Sequence, residues 1–179
     1  IYGEIDFVVH SIAFADKNEL QGSFVENTTR QGFLLAMNVS AFSFVDVSRR
    51  ASAMMKPGGS LVTMTYLGAE RTIPNYNTMG VAKAALEAST RYIARDLGPK
   101  GIRVNAISAG AMRTLSLAGI TGGRALHAKS GQFSMLKAET SMEGVAGAAL
   151  WLCSDLGQST TGEVIHVDLA RNAPVDPGE

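Results

Sequence analysis

Cysteine is nearly absent: Cys153 is the only one in 179 residues. An intramolecular disulfide and a cysteine-rich metal site are therefore excluded. Cys153 ends the apolar run Ala148-Ala149-Leu150-Trp151-Leu152 and reads as a small buried hydrophobe rather than a nucleophile. Excess charge of either sign is missing too, since 16 Lys and Arg offset 16 Asp and Glu. That balance leaves no electrostatic footprint for nucleic acid, an anionic membrane or a strongly charged substrate. No run approaches the ~18 apolar residues that span a bilayer. No basic-then-apolar leader opens the chain, so a cytoplasmic protein is expected. The three histidines have no paired carboxylates or cysteines beside them, and no metal is expected. His10 and His166 fall in strand-like runs and read as hydrogen-bonded structural residues; His127 falls in a loop.

What is present is a globular composition, 46% apolar and 18% charged, in a length suited to one domain. Short β-branched runs at Phe7–Ile12, Ser60–Tyr66, Ile102–Ile107 and Val164–Val167 predict strands, the first of them buried within a sheet. Between them, apolar residues recur at helical spacing from about Thr29 to Met55, before the break at Lys56-Pro57-Gly58-Gly59. A second helix pattern runs from roughly Asn77 to Leu97 and ends at Gly98-Pro99, where glycine can take a left-handed cap. Thr140-Ser141-Met142-Glu143 has capping-box spacing and predicts a helix through Cys153. Leu115 to Lys137 is glycine-bearing and aperiodic, a loop with one or two helical turns. Strict alternation of strands and helices predicts a single α/β domain, a doubly wound parallel sheet with helices on both faces. It covers residues 1–168, and residues 169–179 form a polar, divergent tail expected to be disordered.

Ligands of open parallel sheets bind beyond the carboxyl ends of the strands. The segments to search are therefore Ser11–Ala15, Thr65–Gly68, Ser108–Thr114 and Asp168-Leu169. The following helix adds Tyr76 and Lys83, seven positions apart and so nearly on one helical face, about 10.5 Å apart along the axis. A cation there could lower the phenol pKa, and the ammonium could donate to ribose hydroxyls. Such a pair alone is weak evidence, because short spacings arise by chance.

The surrounding strings are far more specific. Thr65-Tyr66-Leu67-Gly68-Ala69-Glu70-Arg71, then Ile73-Pro74-Asn75-Tyr76-Asn77 and Met79-Gly80-Val81-Ala82-Lys83-Ala84, resemble the active-site stretch of bacterial enoyl-acyl-carrier-protein reductases. His10–Ala15, Val104–Gly110, Arg113-Thr114-Leu115 and Gly162–Asp168 also look like that family, so the likeness covers nearly the whole chain. Ketone-reducing short-chain dehydrogenases place the lysine four residues after the tyrosine; here that position is Gly80. Six residues separate Tyr76 from Lys83, and a second tyrosine, Tyr66, lies ten positions upstream, as in the enoyl reductases.

The resemblance implies a Rossmann-like fold, the C-terminal part of a short-chain dehydrogenase domain. It also implies reduction of a trans-2-enoyl thioester on acyl carrier protein by NADH, with NADPH not excluded, in a homotetramer. By the same resemblance the catalytic residues are Tyr76, Tyr66 and Lys83. Tyr76 would donate to the thioester oxygen, and Lys83 would hold the nicotinamide ribose. Ser11, Ile12 and Ala13 would pass under the cofactor. Met112 would meet the carboxamide through its backbone, and Thr114 would lie near the pyrophosphate. Ala15, Tyr66 and Tyr76 would contact substrate. Leu115, Leu117, Leu126 and Phe133 would be available to cover the acyl chain.

Three departures stand out. The family's domain begins about half a sheet earlier, with a glycine-rich phosphate turn that this sequence does not contain, so the chain reads as N-terminally truncated. After Asp168 the family continues with two glycines and an aromatic residue, whereas here Leu169-Ala170-Arg171 follows. Ala111 replaces a common proline. Two other readings remain: a ketone reductase in which Thr63 stands in for that group's serine, and a catalytically inert fragment.

Overall fold

The structure, a computed structural model, describes residues 3–112, 114 and 131–173. Strands β1 (Phe7–His10), β2 (Ser60–Thr65), β3 (Arg103–Ala109) and β4 (Val164–Val167) form a parallel sheet in the order β1-β2-β3-β4. Between β1 and β2 lie α1 (Phe24–Asn27), α2 (Arg30–Met37) and α3 (Ser43–Ser52). Helix α4 (Asn77–Leu97) joins β2 to β3, and α5 (Met142–Cys153) precedes β4.

Successive strand residues point to opposite faces, and the sheet accordingly has two cores. On one face Leu61 and Val104 pack against Phe44 of α3 and Leu86 and Leu97 of α4. On the other, Val62 and Ile107 pack against Val145 and Leu152 of α5. Helices on both faces of a parallel sheet are the doubly wound α/β arrangement expected from the alternation of runs.

The structure corrects several local expectations. The periodic stretch 29–55 is not one helix: a π-helical turn, Asn38–Phe42, separates α2 from α3. The hydroxyl that caps α5 is Ser141, whose Oγ accepts from the Gly144 amide at 3.0 Å, while Thr140 is buried. Gly98 stays right-handed, because Pro99 suits one further, tighter turn; the left-handed residue is Gly101, at φ 72°. Among the described residues β1 pairs only with β2. Phe7 and Val9 are 54% and 45% exposed, since they share the face of Val62, where α5 covers only β2, β3 and β4.

The predicted disorder after Asp168 does not extend to the first tail residues. Leu169 and Ala170 turn the chain with φ of 58° and 62°. The buried Asp168 carboxylate accepts from the Asn172 amide at 3.0 Å, and the Arg71 guanidinium donates to the Asn172 carbonyl. Residues 174–179 lie outside the described residues.

Candidate active site

A cleft of about 860 Å³ opens at the carboxyl ends of β1, β2 and β3. Short side chains after β1 and β3 (Ser11, Ala13, Ala109, Gly110 and Ala111) leave backbone accessible along two walls. Tyr66 follows β2, and Tyr76 and Lys83 enter from the start of α4.

Tyr76 is the residue just before α4, with φ −124° and ψ −11°. It is therefore not part of a seven-residue helical face with Lys83, yet both side chains line the same cleft. Its ring is held edge-on to Tyr66, with centroids 5.1 Å apart and planes at 68°, and packs with Leu20 and Met79. Glycine makes this fit possible. A Cβ on Gly68 would lie 2.3 Å from the Tyr76 ring, and one on Gly80 would lie 2.8 Å from the Gly68 carbonyl oxygen. The position that holds lysine in ketone reductases is thus a close approach of α4 to the 67–69 turn, with no room for a side chain.

Lys83 is not a solvated surface charge. Only 6% exposed, its Nζ donates to the Met64 carbonyl at 2.7 Å. Burial brings its pKa down to about 8, opposed by the nearby Glu87 carboxylate. Burial also raises the Tyr76 pKa far above that of a free phenol, and Tyr66 adds to the rise. The phenol pKa is thus raised rather than lowered, by burial first and then by Tyr66, and Lys83 is not among the causes. Tyr76 is held as a protonated donor. Tyr66 is also shifted upward by burial, with Arg171 opposing; the Arg171 guanidinium reaches its hydroxyl at 3.4 Å.

The other expected site residues divide. Ser11, Ala13, Ala15, Met112 and Thr114 line the cleft. Ile12 is exposed and does not line it, and neither does the exposed Phe133. Leu115, Leu117 and Leu126 fall outside the described residues. The sequence reading missed Leu20 and Leu35 as lining residues and the Met64 carbonyl as the partner of Lys83. Leu35 falls among other apolar residues of α2, and a loop leucine or a backbone carbonyl carries no periodic signal that could have flagged it. His10 is buried as a structural residue, with Nδ1 3.0 Å from Thr63 Oγ1 and Nε2 2.9 Å from Ser43 Oγ. His166 bonds to Glu70 at 2.7 Å. Thr63, the ketone-reductase candidate, is fully buried against His10 and does not line the cleft.

Among the described residues there is no cluster of three His, Cys, Asp or Glu side chains suited to a metal, and no helix long and apolar enough to cross a membrane. The donor set suits the ribose end of a dinucleotide instead. An ammonium has three donors, so Lys83 retains capacity beyond its bond to Met64, and the small-residue walls let a flat ring approach the backbone.

A family model described as Enoyl-(Acyl carrier protein) reductase matches residues 1–169. The chain belongs to that family. It is 51% identical over 171 residues to enoyl-[acyl-carrier-protein] reductase [NADH] 2 of Rhizobium meliloti, covering 96% of this chain and 63% of that protein. It is 46% identical to the Escherichia coli enzyme, enoyl-[acyl-carrier-protein] reductase [NADH] FabI, covering 94% of this chain and 64% of that protein. The chain thus spans less than two thirds of the length of these curated relatives. Among solved structures, the Bacillus cereus enoyl-acyl carrier protein reductase with NADP+ and indole naphthyridinone superposes with a TM-score of 0.93 at 49% identity, covering 97% of this chain and 67% of that one. The reductase of Anaplasma phagocytophilum in complex with NAD gives 0.92 at 47% identity, covering 99% and 67%.

Proposed function

We propose that this chain forms the substrate-activating part of an NADH-dependent enoyl-[acyl-carrier-protein] reductase, with residues 1–168 as its share of the reductase domain. The observation that carries the reading is a buried Tyr76 set edge-on to Tyr66 in the cleft that Lys83 lines. The relatives' names supply the substrate class and the preference for NADH.

A bound dihydronicotinamide would supply a hydride to the β-carbon of a trans-2-enoyl thioester. Tyr76 would then donate a hydrogen bond to the thioester oxygen, where negative charge gathers as the enolate forms; a preorganised donor in a desolvated site acts most strongly there. Tautomerisation and protonation at the α-carbon would complete the reduction. Lys83 would hold the ribose hydroxyls. Tyr66 would confine the Tyr76 ring and share the substrate wall with Ala15. Ser11 and Ala13 would underlie the cofactor, with the Met112 backbone at the carboxamide and Thr114 near the pyrophosphate. The reading includes a cytoplasmic homotetramer acting on acyl-carrier-protein thioesters.

The test is a paired assay of the full-length protein containing this chain. Turnover of a crotonyl thioester with NADH, and none of an acetoacetyl thioester, is the expected result; activity on the keto substrate alone would overturn it. Tyr76→Phe should lower kcat by about 100-fold or more, as removal of one such donor does elsewhere, with NADH affinity nearly unchanged. Saturable quenching or enhancement of NADH fluorescence by the protein separates this reading from that of an inert fragment.

A further inference from the structure

The segment Ser11–Ala15 has no regular secondary structure, yet it forms one wall of the cleft through Ser11, Ala13, Phe14 and Ala15. Such a wall needs an anchor, because a loop without ladder bonds has its backbone donors and acceptors to satisfy individually. Both ends of its central stretch are anchored to a single place, the π-helical turn Asn38–Phe42 and the residue after it.

At the Phe14 end the anchor is Ser40. Its hydroxyl accepts from the Phe14 amide at 2.9 Å and donates to the Phe14 carbonyl at 3.0 Å. One side chain thus satisfies both backbone groups of one loop residue, as a neighbouring strand would. Ser40 has no exposed surface, so water cannot readily replace it. At the other end, Ser43 Oγ donates to the Val39 carbonyl at 2.6 Å. The same oxygen lies 2.9 Å from His10 Nε2. His10 Nδ1 lies 3.0 Å from Thr63 Oγ1, which itself donates to the His10 carbonyl at 3.3 Å. The wider π turn is a departure from α geometry that recurs at functional sites. Here it lies where the helix meets the cleft loop.

We infer that Ser40 is a positioning residue for the dinucleotide: through its two bonds to Phe14 it sets the height of the Ser11–Ala13 backbone beneath the nicotinamide half of the site. This rests on the reading of the cleft given above. Ser40 touches neither the hydride donor nor the thioester in this scheme. It acts through the loop.

The experiment compares Ser40→Ala, Ser40→Val and Ser40→Thr in the full-length protein. Valine and threonine are nearly isosteric, so their difference isolates the hydroxyl from the added volume. Two quantities are read: the NADH dissociation constant by fluorescence titration, and hydrogen exchange at the Phe14 amide without ligand. Wild type should protect the Phe14 amide. Ala and Val should weaken NADH binding about tenfold or more and speed exchange at Phe14, while the β2 amides stay as protected as in wild type. Thr should recover most of both. Equal losses in Thr and Val would make packing, not the hydroxyl, the cause and overturn the inference. So would an unprotected Phe14 amide in wild type, or wild-type NADH affinity in Ala and Val. Failure of the wild-type protein to bind NADH at all would instead overturn the reading of the cleft, whatever the exchange data show.

Discussion

Lys83 and Arg103 are both buried cations, 6% and 8% exposed, and both donate to backbone carbonyls, but they sit at opposite ends of the sheet. Arg103 opens β3. Its Nη1 donates to the carbonyls of Leu152 and Gly157 at 2.6 and 3.0 Å, and its Nη2 to that of Ser154 at 3.2 Å. These carbonyls lie at the C-terminal end of α5 and just beyond it, where a helix dipole favours a cation. Lys83, at the carboxyl end, makes one such bond and turns its remaining donor capacity toward a cleft. Charge and burial are alike; what differs is how far the donors are satisfied. A buried cation that spends three bonds on carbonyls of the fold holds the fold. One with donors to spare, at the end of the sheet where ligands bind, is poised for something the fold does not supply.

Substitution of each cation should break the comparison in opposite ways. Arg103→Met in the full-length protein should cost the most stability, about 3 kcal/mol by urea unfolding, because it strips charged donors from several buried carbonyls at once. A loss below about 1 kcal/mol would show that those carbonyls find other partners. Lys83→Met should not destabilise the protein at pH 7, because it removes the cost of burying the ammonium together with the bond to Met64, but it should weaken NADH binding by about 2 kcal/mol, the scale of hydrogen bonds from a charged group. The reverse pattern would exchange the two roles.

The depressed pKa of Lys83 sharpens the contrast. The folded group titrates at about 8, against 10.5 for a free lysine. Between those values the unfolded chain binds more protons, so folding stability, measured relative to Lys83→Met, should rise as pH climbs from about 8 to about 10.5. Below 8 the cost of burying the ammonium is fully present. NADH affinity should move the other way, falling as the ammonium is lost. A flat difference between wild type and variant would mean that Lys83 keeps its charge. The smallest effect belongs to Ser60, which donates to the Leu152 carbonyl at 2.8 Å beside Arg103. Ser60→Ala should cost about 1 kcal/mol, a single neutral hydrogen bond, with NADH binding untouched.

Much of the frame was legible from residues alone. The four strands and the limits of α4 follow from β-branched runs, helical periodicity and breakers such as Pro57-Gly58, all of which act locally. The pairing of Tyr76 with Lys83 was legible through its neighbours, Gly80 among them. The interruption of the 29–55 helix was not, because its apolar period runs on through Asn38–Phe42 and the partner of that turn, the Phe14 backbone, is remote in sequence. The tail misled for a similar reason. Its polar composition suggests disorder, but Asp168 and Arg71 provide specific partners from two parts of the sheet end.

The sequence by itself determined the α/β class, the order of the elements and the identities of the two tyrosines and the lysine, since these depend on patterns within short windows. The tertiary structure decided their chemical state. How far a phenol's pKa rises, or an ammonium's falls toward neutrality, depends on how much water neighbours from distant segments remove. Leu20, Gly68 and Met79 meet around Tyr76 only when the chain has folded.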